Sequence, residues 1–235
     1  MILRRNLARV ATAARRWIVA APGTHIYLLV LLVTTQTVRS LHPALASQLL
    51  RQASTNLTEM GRSSGRVLFL SAFLLDGGHW IAQAIAFSAV YVPLERRAGS
   101  LRWLAVVIAG HVGATVVTTV GIWADVRSNR GAAPLTHAID VGVSYGLISA
   151  AAYLALSLRT RVLRRSAFGA LATALCYTMI RSHTFTDAGH LAAMVIGAAM
   201  FMVFAPPARP SPSVLLGMAP TVGLEGSKRY PRPVR

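Results

Sequence analysis

Six long runs without a charged side chain are the feature of this 235-residue sequence that most restricts its fold. The runs cover residues 17–38, 77–94, 103–124, 141–158, 166–180 and 188–208. A transmembrane helix needs about 20 apolar residues, with roughly 17 to 25 tolerated, and five runs have that length. The run 166–180 has only 15 residues and reaches spanning length if Val162 and Leu163 extend it. The sequence therefore predicts an all-α membrane protein with six transmembrane helices.

The composition excludes several other classes of protein. Hydrophobic residues make up 54% of the chain and charged residues only 13%, about half the usual share in soluble domains. A single cysteine, Cys176, excludes an intramolecular disulfide and any cysteine-based zinc or iron–sulfur site. A small transporter would need paired charges near the middle of the membrane, and the six runs contain no charged residue.

The basic residues predict the orientation in the membrane. Lysine and arginine number 24 against 7 acidic residues, which gives a formal net charge of +17. Six crossings place both termini on one side, and 17 of the 24 basic residues fall on that side. By the positive-inside rule both termini are cytoplasmic, so the charge reflects topology and attraction to anionic lipid rather than binding to nucleic acid. The preference for arginine over lysine, with abundant alanine, favours a bacterial plasma membrane.

The predicted organisation has three parts. Residues 1–16 form a basic cytoplasmic N-terminus, residues 17–205 the membrane domain, and residues 206–235 a Pro-rich, basic tail without packed structure. A first outer loop covers residues 39–76, and its apolar run 66–75 is too short to cross, so it is predicted to be interfacial or re-entrant. A cleavable secretory signal at the N-terminus is disfavoured, because the first run has 22 residues against about 7 to 15 in a signal peptide.

Three reactive side chains are predicted to lie at the same depth near the outer surface. His79 is the third residue of the second run, Ser144 the fourth of the fourth run, and His190 the third of the sixth run. These three runs all cross from outside to inside, and a helix rises about 1.5 Å per residue. Polar and ionisable residues inside a membrane are costly and commonly mark a functional site.

The residue types around Ser144 suit nucleophilic chemistry. Ser144 stands in the segment Gly-Val-Ser-Tyr-Gly, which begins at Gly142, and Gly189 directly precedes His190. These glycines would permit a close approach of helices or substrate. A serine hydroxyl needs a base, and His190 is the candidate nearest in depth. The amides at a helix N-terminus, with His79 as a side-chain donor, would stabilise a developing oxyanion.

Several alternative interpretations remain open from the residues alone. A Gly-x-Ser-x-Gly segment in a membrane helix also serves close packing, and His111 is interpreted as a structural residue bonded to a neighbouring serine or threonine. Asp140 and Asp187 each precede a dyad candidate by about one turn and either orient it or cap the helix, with capping favoured. No His-Glu-x-x-His or comparable spacing occurs, so neither a metal nor a cofactor is predicted.

The order of these residues resembles the rhomboid family of intramembrane serine proteases. His79 falls in the second predicted span, Gly-x-Ser in the fourth and Gly-His in the sixth, while the segment 94–114 and the outer loop 39–76 are also similar to the family. The segment 189–204 looks like the family's sixth span, with Gly197 placed to pack against the fourth span. The resemblance covers roughly residues 26–204 and implies a six-span rhomboid-like bundle.

The resemblance also implies a role for each site residue. Ser144 would be the nucleophile, His190 the general base and acid, and His79 with Gln83 the oxyanion-hole donors. Gly142, Tyr145 and Gly189 would shape the site. The partners implied are transmembrane helices of substrate or client membrane proteins within the bilayer.

The chain departs from the family pattern at three positions. Tyr145 follows the serine where the family usually has glycine, and Gln83 stands where asparagine is usual. Ile148 stands where an aromatic residue often stacks on the base. Tyr145 would either crowd the cavity or replace that stacking partner. These departures leave a second hypothesis open, an inactive rhomboid-like pseudoprotease that binds transmembrane helices without cutting them.

Overall fold

The computed structural model describes residues 12, 14–55, 57–75, 80–128 and 142–204. Within these ranges the chain contains helices and no strand. Eight helices of ten residues or more follow one another: α1 (Pro22–Ser40), α2 (Pro43–Gln52), α3 (Leu57–Ser71), α4 (Trp80–Ala98), α5 (Ser100–Arg127), α6 (Val143–Leu156), α7 (Arg161–Ser182) and α8 (Phe185–Phe204). The predicted tail, residues 206–235, lies outside the described residues.

Each of the six uncharged runs overlaps one of the helices α1 and α4 to α8 in the part of the run that the structure describes. By length and composition, α5 and α8 are long and apolar enough to cross a membrane, and α6 is a shorter apolar helix. The helix α7 begins at Arg161, so it includes the Val162 and Leu163 extension that the short fifth run required. The all-helical class is confirmed, whereas the number of crossings stays a prediction.

The predicted outer loop folds into the two helices α2 and α3. Helix α3 contains a kink at Ser63, where the backbone is extended with φ −161° and ψ 71°. Hydrogen bonds from α1 hold the residues that follow α3: Tyr27 Oη donates to the Ala72 carbonyl at 2.8 Å, and Thr34 Oγ1 donates to the Phe73 carbonyl at 2.6 Å. The C-terminal half of α3 is thereby fixed to the helical bundle.

Glycines allow α6 to pack closely between α5 and α8. A Cβ atom added to Gly110 of α5 would lie 2.2 Å from Ser149 Cβ, and one added to Gly197 of α8 would lie 2.1 Å from the Ser149 carbonyl oxygen. Neither contact is sterically allowed, so only glycine permits these helix separations. The predicted packing of Gly197 against the fourth span is confirmed.

An aromatic cluster fills the core between α1, α4 and α5. Tyr27, Phe87, Tyr91 and Trp103 contact one another with ring centroids 5.2 to 6.4 Å apart, several of them edge to face. Such arrangements are favourable because the positive ring edge meets a negative ring face. The Tyr91 hydroxyl reaches α6, where it lies against Gly146.

The outer surface of the described helices is unusually apolar. Ile81, Leu101 and Met202 are each more than 70% exposed, and many other large apolar side chains are exposed as well. A soluble monomer seldom exposes contiguous apolar surface on this scale, whereas lipid tails solvate it without cost. The fold is therefore that of an all-α membrane protein.

Glu95 is a buried carboxylate at the end of α4, directly after the uncharged run 77–94. Its Oε1 accepts hydrogen bonds from Gly23 N at 2.9 Å and Ser100 Oγ at 2.6 Å, and its Oε2 accepts from the backbone and side chain of Thr24, both at 2.7 Å. Burial raises the pKa of Glu95, but the hydrogen bonds from Ser100, Thr24 and Gly23 outweigh it and hold the pKa below its ordinary value. One carboxylate thus joins the starts of α1 and α5 to the end of α4.

Replacing Glu95 with glutamine should lower the free energy of unfolding by about 1.5 to 3 kcal/mol, because hydrogen bonds to a charged acceptor are lost. Unfolding in detergent micelles would measure this. The folded-state pKa is depressed, so this stabilisation is complete above the unfolded-state pKa of about 4.3 and is lost as pH falls through the folded value. The difference between wild type and Glu95→Gln should therefore narrow in acid.

Glu59→Gln is the matched control, because Glu59 pairs with Arg62 and Arg66, which are largely exposed. The Glu59 side chain is only 14% exposed, but both arginines are exposed to water, which screens the two pairs, so this variant should lose less stability than Glu95→Gln. An equal loss in both variants, or a Glu95→Gln difference that acid leaves unchanged, would contradict the proposed role of Glu95.

Candidate active site

Ser144 and His190 form a hydrogen-bonded pair. The Ser144 hydroxyl oxygen and His190 Nε2 are 2.9 Å apart, and both side chains are half-buried. Ser144 is the second residue of α6, and His190 is the sixth residue of α8. The two residues are 46 positions apart in sequence, so the packing of α6 against α8 creates the pair. With the imidazole proton on Nδ1, Nε2 accepts the serine proton, which is the arrangement that activates a serine nucleophile.

Reciprocal hydrogen bonds at the start of α8 fix the turn that precedes His190. Asp187 Oδ2 accepts from Ser182 Oγ at 2.8 Å and from Thr184 N at 3.1 Å, while Thr184 Oγ1 accepts from Asp187 N at 3.2 Å. This is a capping arrangement in which side chains satisfy the backbone groups at a helix start. The prediction that Asp187 caps its helix is confirmed. Asp140 lies outside the described residues.

Tyr145 lies beside the imidazole of His190. The tyrosine is fully buried, and its ring meets the His190 ring edge to face with centroids 5.3 Å apart. A Cβ atom added to Gly189 would lie 2.6 Å from two ring carbons and the hydroxyl oxygen of Tyr145, so glycine at position 189 makes room for this side chain. Of the two predicted alternatives, the structure shows a ring contact with the base. Ile148 instead packs against the small apolar cluster formed by Tyr145 and its neighbours Ala114 and Ala193.

His111 connects the helix of the outer loop to the start of α6. Its Nδ1 lies 2.9 Å from the Gly142 carbonyl oxygen, and its Nε2 lies 2.9 Å from the Leu68 carbonyl oxygen and 3.3 Å from Ser71 Oγ. A Cβ atom on Gly142 would lie 2.5 Å from the His111 ring, so glycine is required there. The predicted contact with a serine is confirmed.

The link from His111 to Gly142 is the feature of the site that the sequence did not predict. The two residues are separated by 31 positions and belong to no common motif. The one available signal was an ionisable residue in the middle of an apolar span, which calls for a polar partner. Gly142 directly precedes α6, so the contact with His111 helps to position the start of the helix that carries Ser144.

For the predicted oxyanion-hole donors, the structure describes Gln83 alone. His79 lies outside the described residues. Gln83 is half-buried on α4 and, among the described residues, makes no hydrogen bond to Ser144 or His190. In the part of the chain that the structure describes, the first amides of α6 are further candidate donors, because the first turn of a helix lacks intrahelical acceptors, although Tyr145 N already donates to the Gly142 carbonyl at 3.1 Å. The role of His79 and Gln83 stays a prediction.

The described residues contain no group of three or more histidine, cysteine, aspartate or glutamate side chains able to hold a metal ion. The polar groups that the site offers in this part of the chain are therefore a hydroxyl, an imidazole and helix-start amides. Together these groups can carry out acyl transfer.

One of three comparisons with known proteins identifies the family of the chain. A protein-family model described as "Rhomboid-like protein" matches residues 16–208, which is more than four fifths of the chain. No curated protein matches the chain significantly, and no solved structure does either.

Proposed function

Because this chain belongs to the rhomboid-like family, we propose that it is an intramembrane serine protease that uses the Ser144–His190 dyad. Its substrates would be membrane proteins, cut within or close to a transmembrane helix. The observation that carries the proposal is the 2.9 Å contact between Ser144 Oγ and His190 Nε2. Structural hydroxyl groups elsewhere in the bundle bond backbone carbonyls instead, as those of Thr115 and Ser149 do.

The proposed reaction is acyl transfer. Ser144 Oγ attacks the carbonyl carbon of the scissile peptide bond while His190 Nε2 takes the hydroxyl proton. The helix-start amides of α6, with His79 and Gln83, stabilise the oxyanion. His190 then gives its proton to the departing amine, which leaves an ester between Ser144 and the substrate. Water attacks this ester with His190 again acting as base, and the serine is restored.

The surrounding contacts support a preorganised dyad. Edge-to-face contact with the buried Tyr145 restricts rotation of the His190 ring. The capping arrangement of Thr184 and Asp187 fixes the backbone of α8 one turn earlier, and His111 fixes the carbonyl of Gly142 two residues before Ser144. Catalytic rates depend strongly on such positioning.

The proposal includes a membrane topology. The six helices that coincide with the uncharged runs would each cross the membrane, with both termini in the cytoplasm and the dyad near the outer surface. This would be the plasma membrane of a bacterium. Lysine and arginine predominate in the segments that this topology places inside.

Labelling of the detergent-purified protein with a fluorescent fluorophosphonate tests for an activated serine without knowledge of the substrate. We expect labelling of the wild type and none of Ser144→Ala. The matched control is Ser149→Ala in the same helix, because Ser149 is fully buried and donates to the Val106 carbonyl at 3.1 Å. Labelling should persist in this control, and a catalytically active rhomboid serves as the positive control.

The second candidate function is that of a pseudoprotease that binds transmembrane helices without cleaving them. The presence of Gln83 where the family usually has asparagine favours it, because an amide with a different reach would stabilise the oxyanion less well. Absence of labelling in folded wild-type protein would contradict the protease proposal. Binding of a membrane-protein client by both wild type and Ser144→Ala would then support the pseudoprotease.

A further inference from the structure

An apolar cavity of about 350 Å³ lies between α1, α3, α5 and the start of α6. Its walls are mainly aliphatic and aromatic, and among the polar side-chain groups of these described wall residues Trp103 Nε1 alone has no hydrogen-bond partner. The Tyr27 hydroxyl donates to the Ala72 carbonyl, and both ring nitrogens of His111 lie beside backbone carbonyls. A buried water needs two to four polar partners, and this cavity does not supply them. The cavity therefore suits an apolar occupant rather than water.

The mouth of the cavity faces the apolar outer surface of the bundle. Phe69, Leu104 and Ile108 contribute to the wall, and they are 66%, 44% and 52% exposed. In the proposed membrane location the medium at such a surface is lipid hydrocarbon, so acyl chains are the apolar groups present at highest concentration.

A positive charge lies next to this mouth. Arg66 precedes Phe69 by one turn on α3, so the two side chains share one face of the helix. More than half of the Arg66 side chain is exposed, and its ion pair with Glu59 is long at 3.7 Å. A long arginine side chain at the membrane surface can contact a lipid phosphate while a chain of the same lipid enters the apolar region below.

We infer that this cavity is a binding site for one acyl chain of a phospholipid whose phosphate contacts Arg66. His111 and Gly142 form part of the cavity wall, so the chain packs directly behind the helix start that carries Ser144. A lipid bound there would support the His111 contacts that join α3 to α6. The inference rests on the proposed membrane location and does not depend on proteolysis.

Trp103 provides a reporter for the bound chain. It contributes to the cavity wall but is only 4% exposed, so lipid outside the bundle touches it little. A triple variant, Trp17→Phe, Trp80→Phe and Trp123→Phe, would leave Trp103 as the single tryptophan. Reconstituted in vesicles of phosphatidylcholine with brominated acyl chains, it should show fluorescence quenching, because bromine quenches indole at close approach.

Filling the cavity tests whether this quenching comes from a bound chain. In the single-tryptophan protein, Ala72→Phe should remove most of the quenching because it places a ring in the cavity, and Leu68→Phe is a second filling variant. The matched control is Ala170→Phe on an exposed position of α7 outside the cavity wall. Circular dichroism would establish that each variant is folded. Equal quenching in the filled and control variants would overturn the inference.

The head group is tested separately. Native mass spectrometry of the purified protein should show a bound phospholipid in the wild type and a reduced amount in Arg66→Ala. Arg159→Ala is the control, since Arg159 is an exposed arginine distant in sequence from the cavity wall. Retention of detergent or free fatty acid alone would overturn the assignment to a phospholipid. Loss of fluorophosphonate labelling would not affect either result, so the two proposals can fail independently.

Discussion

His190→Asn is expected to slow fluorophosphonate labelling of Ser144 by about 10²- to 10⁴-fold, the usual contribution of a positioned general base. Asparagine keeps a polar group next to the serine but cannot take its proton. The effect should be this large because His190 Nε2 is the basic nitrogen in contact with the Ser144 hydroxyl oxygen, at 2.9 Å. The measurement is the second-order rate constant of labelling in detergent.

His183→Asn is the matched control for this experiment. His183 is exposed and ends α7 in the left-handed region, with φ 51° and ψ 37°, a conformation that asparagine adopts readily. The same substitution seven residues from His190 should therefore leave both the labelling rate and the thermal unfolding temperature nearly unchanged. Equal labelling rates in His190→Asn and wild type would show that His190 does not activate the serine.

Gly197→Ala is expected to slow labelling by about 100-fold, the cost associated with misplacing reacting groups by roughly 1 Å. The added Cβ would lie 2.1 Å from the Ser149 carbonyl oxygen, so α6 and α8 must separate or shift. Ser144 and His190 lie on these same two helices, so their contact should be disturbed. Overpacking of this kind typically also costs about 1 to 3 kcal/mol of stability.

Gly169→Ala is the control for Gly197→Ala, because nothing lies within 4 Å of a Cβ atom at Gly169 of α7. Alanine favours a helix over glycine by about 1 kcal/mol, so this variant should be as stable as wild type or more stable. Labelling rate and free energy of unfolding would be measured for both variants. A Gly197→Ala protein with a wild-type labelling rate would contradict tight coupling between helix packing and the dyad.

The distribution of apolar residues along the chain explains why the predicted helical segments agree with the helices of the structure. A run of apolar residues without charges becomes a helix in lipid because every backbone polar group must be satisfied within the segment. The helical segments could therefore be predicted. The predicted helix ends were less accurate, as α7 shows. Thr160 accepts a hydrogen bond from Leu163 N and caps this helix, so α7 begins at Arg161, five residues before the uncharged run.

The pairing of Ser144 with His190 was predictable from residue types and spacing. Counting residues from the span ends placed Ser144 and His190 at one level, and the structure shows them in contact. The capping role of Asp187 followed from its position one turn before His190. The sequence could not decide whether Tyr145 crowds the cavity or contacts the His190 ring. These two outcomes differ only in the distance between α6 and α8.

The sequence by itself determined that this chain forms membrane helices and which polar side chains stand near their ends, because burial in lipid and helical rise depend on local composition and spacing. The tertiary structure decided which of those side chains meet. The glycines at positions 110, 189 and 197 set the separations of α5, α6 and α8, and His111 reaches Gly142 and Leu68 across three segments distant in sequence. Such contacts depend on interhelical distances of a few ångströms, which arise only when all the facing side chains pack together.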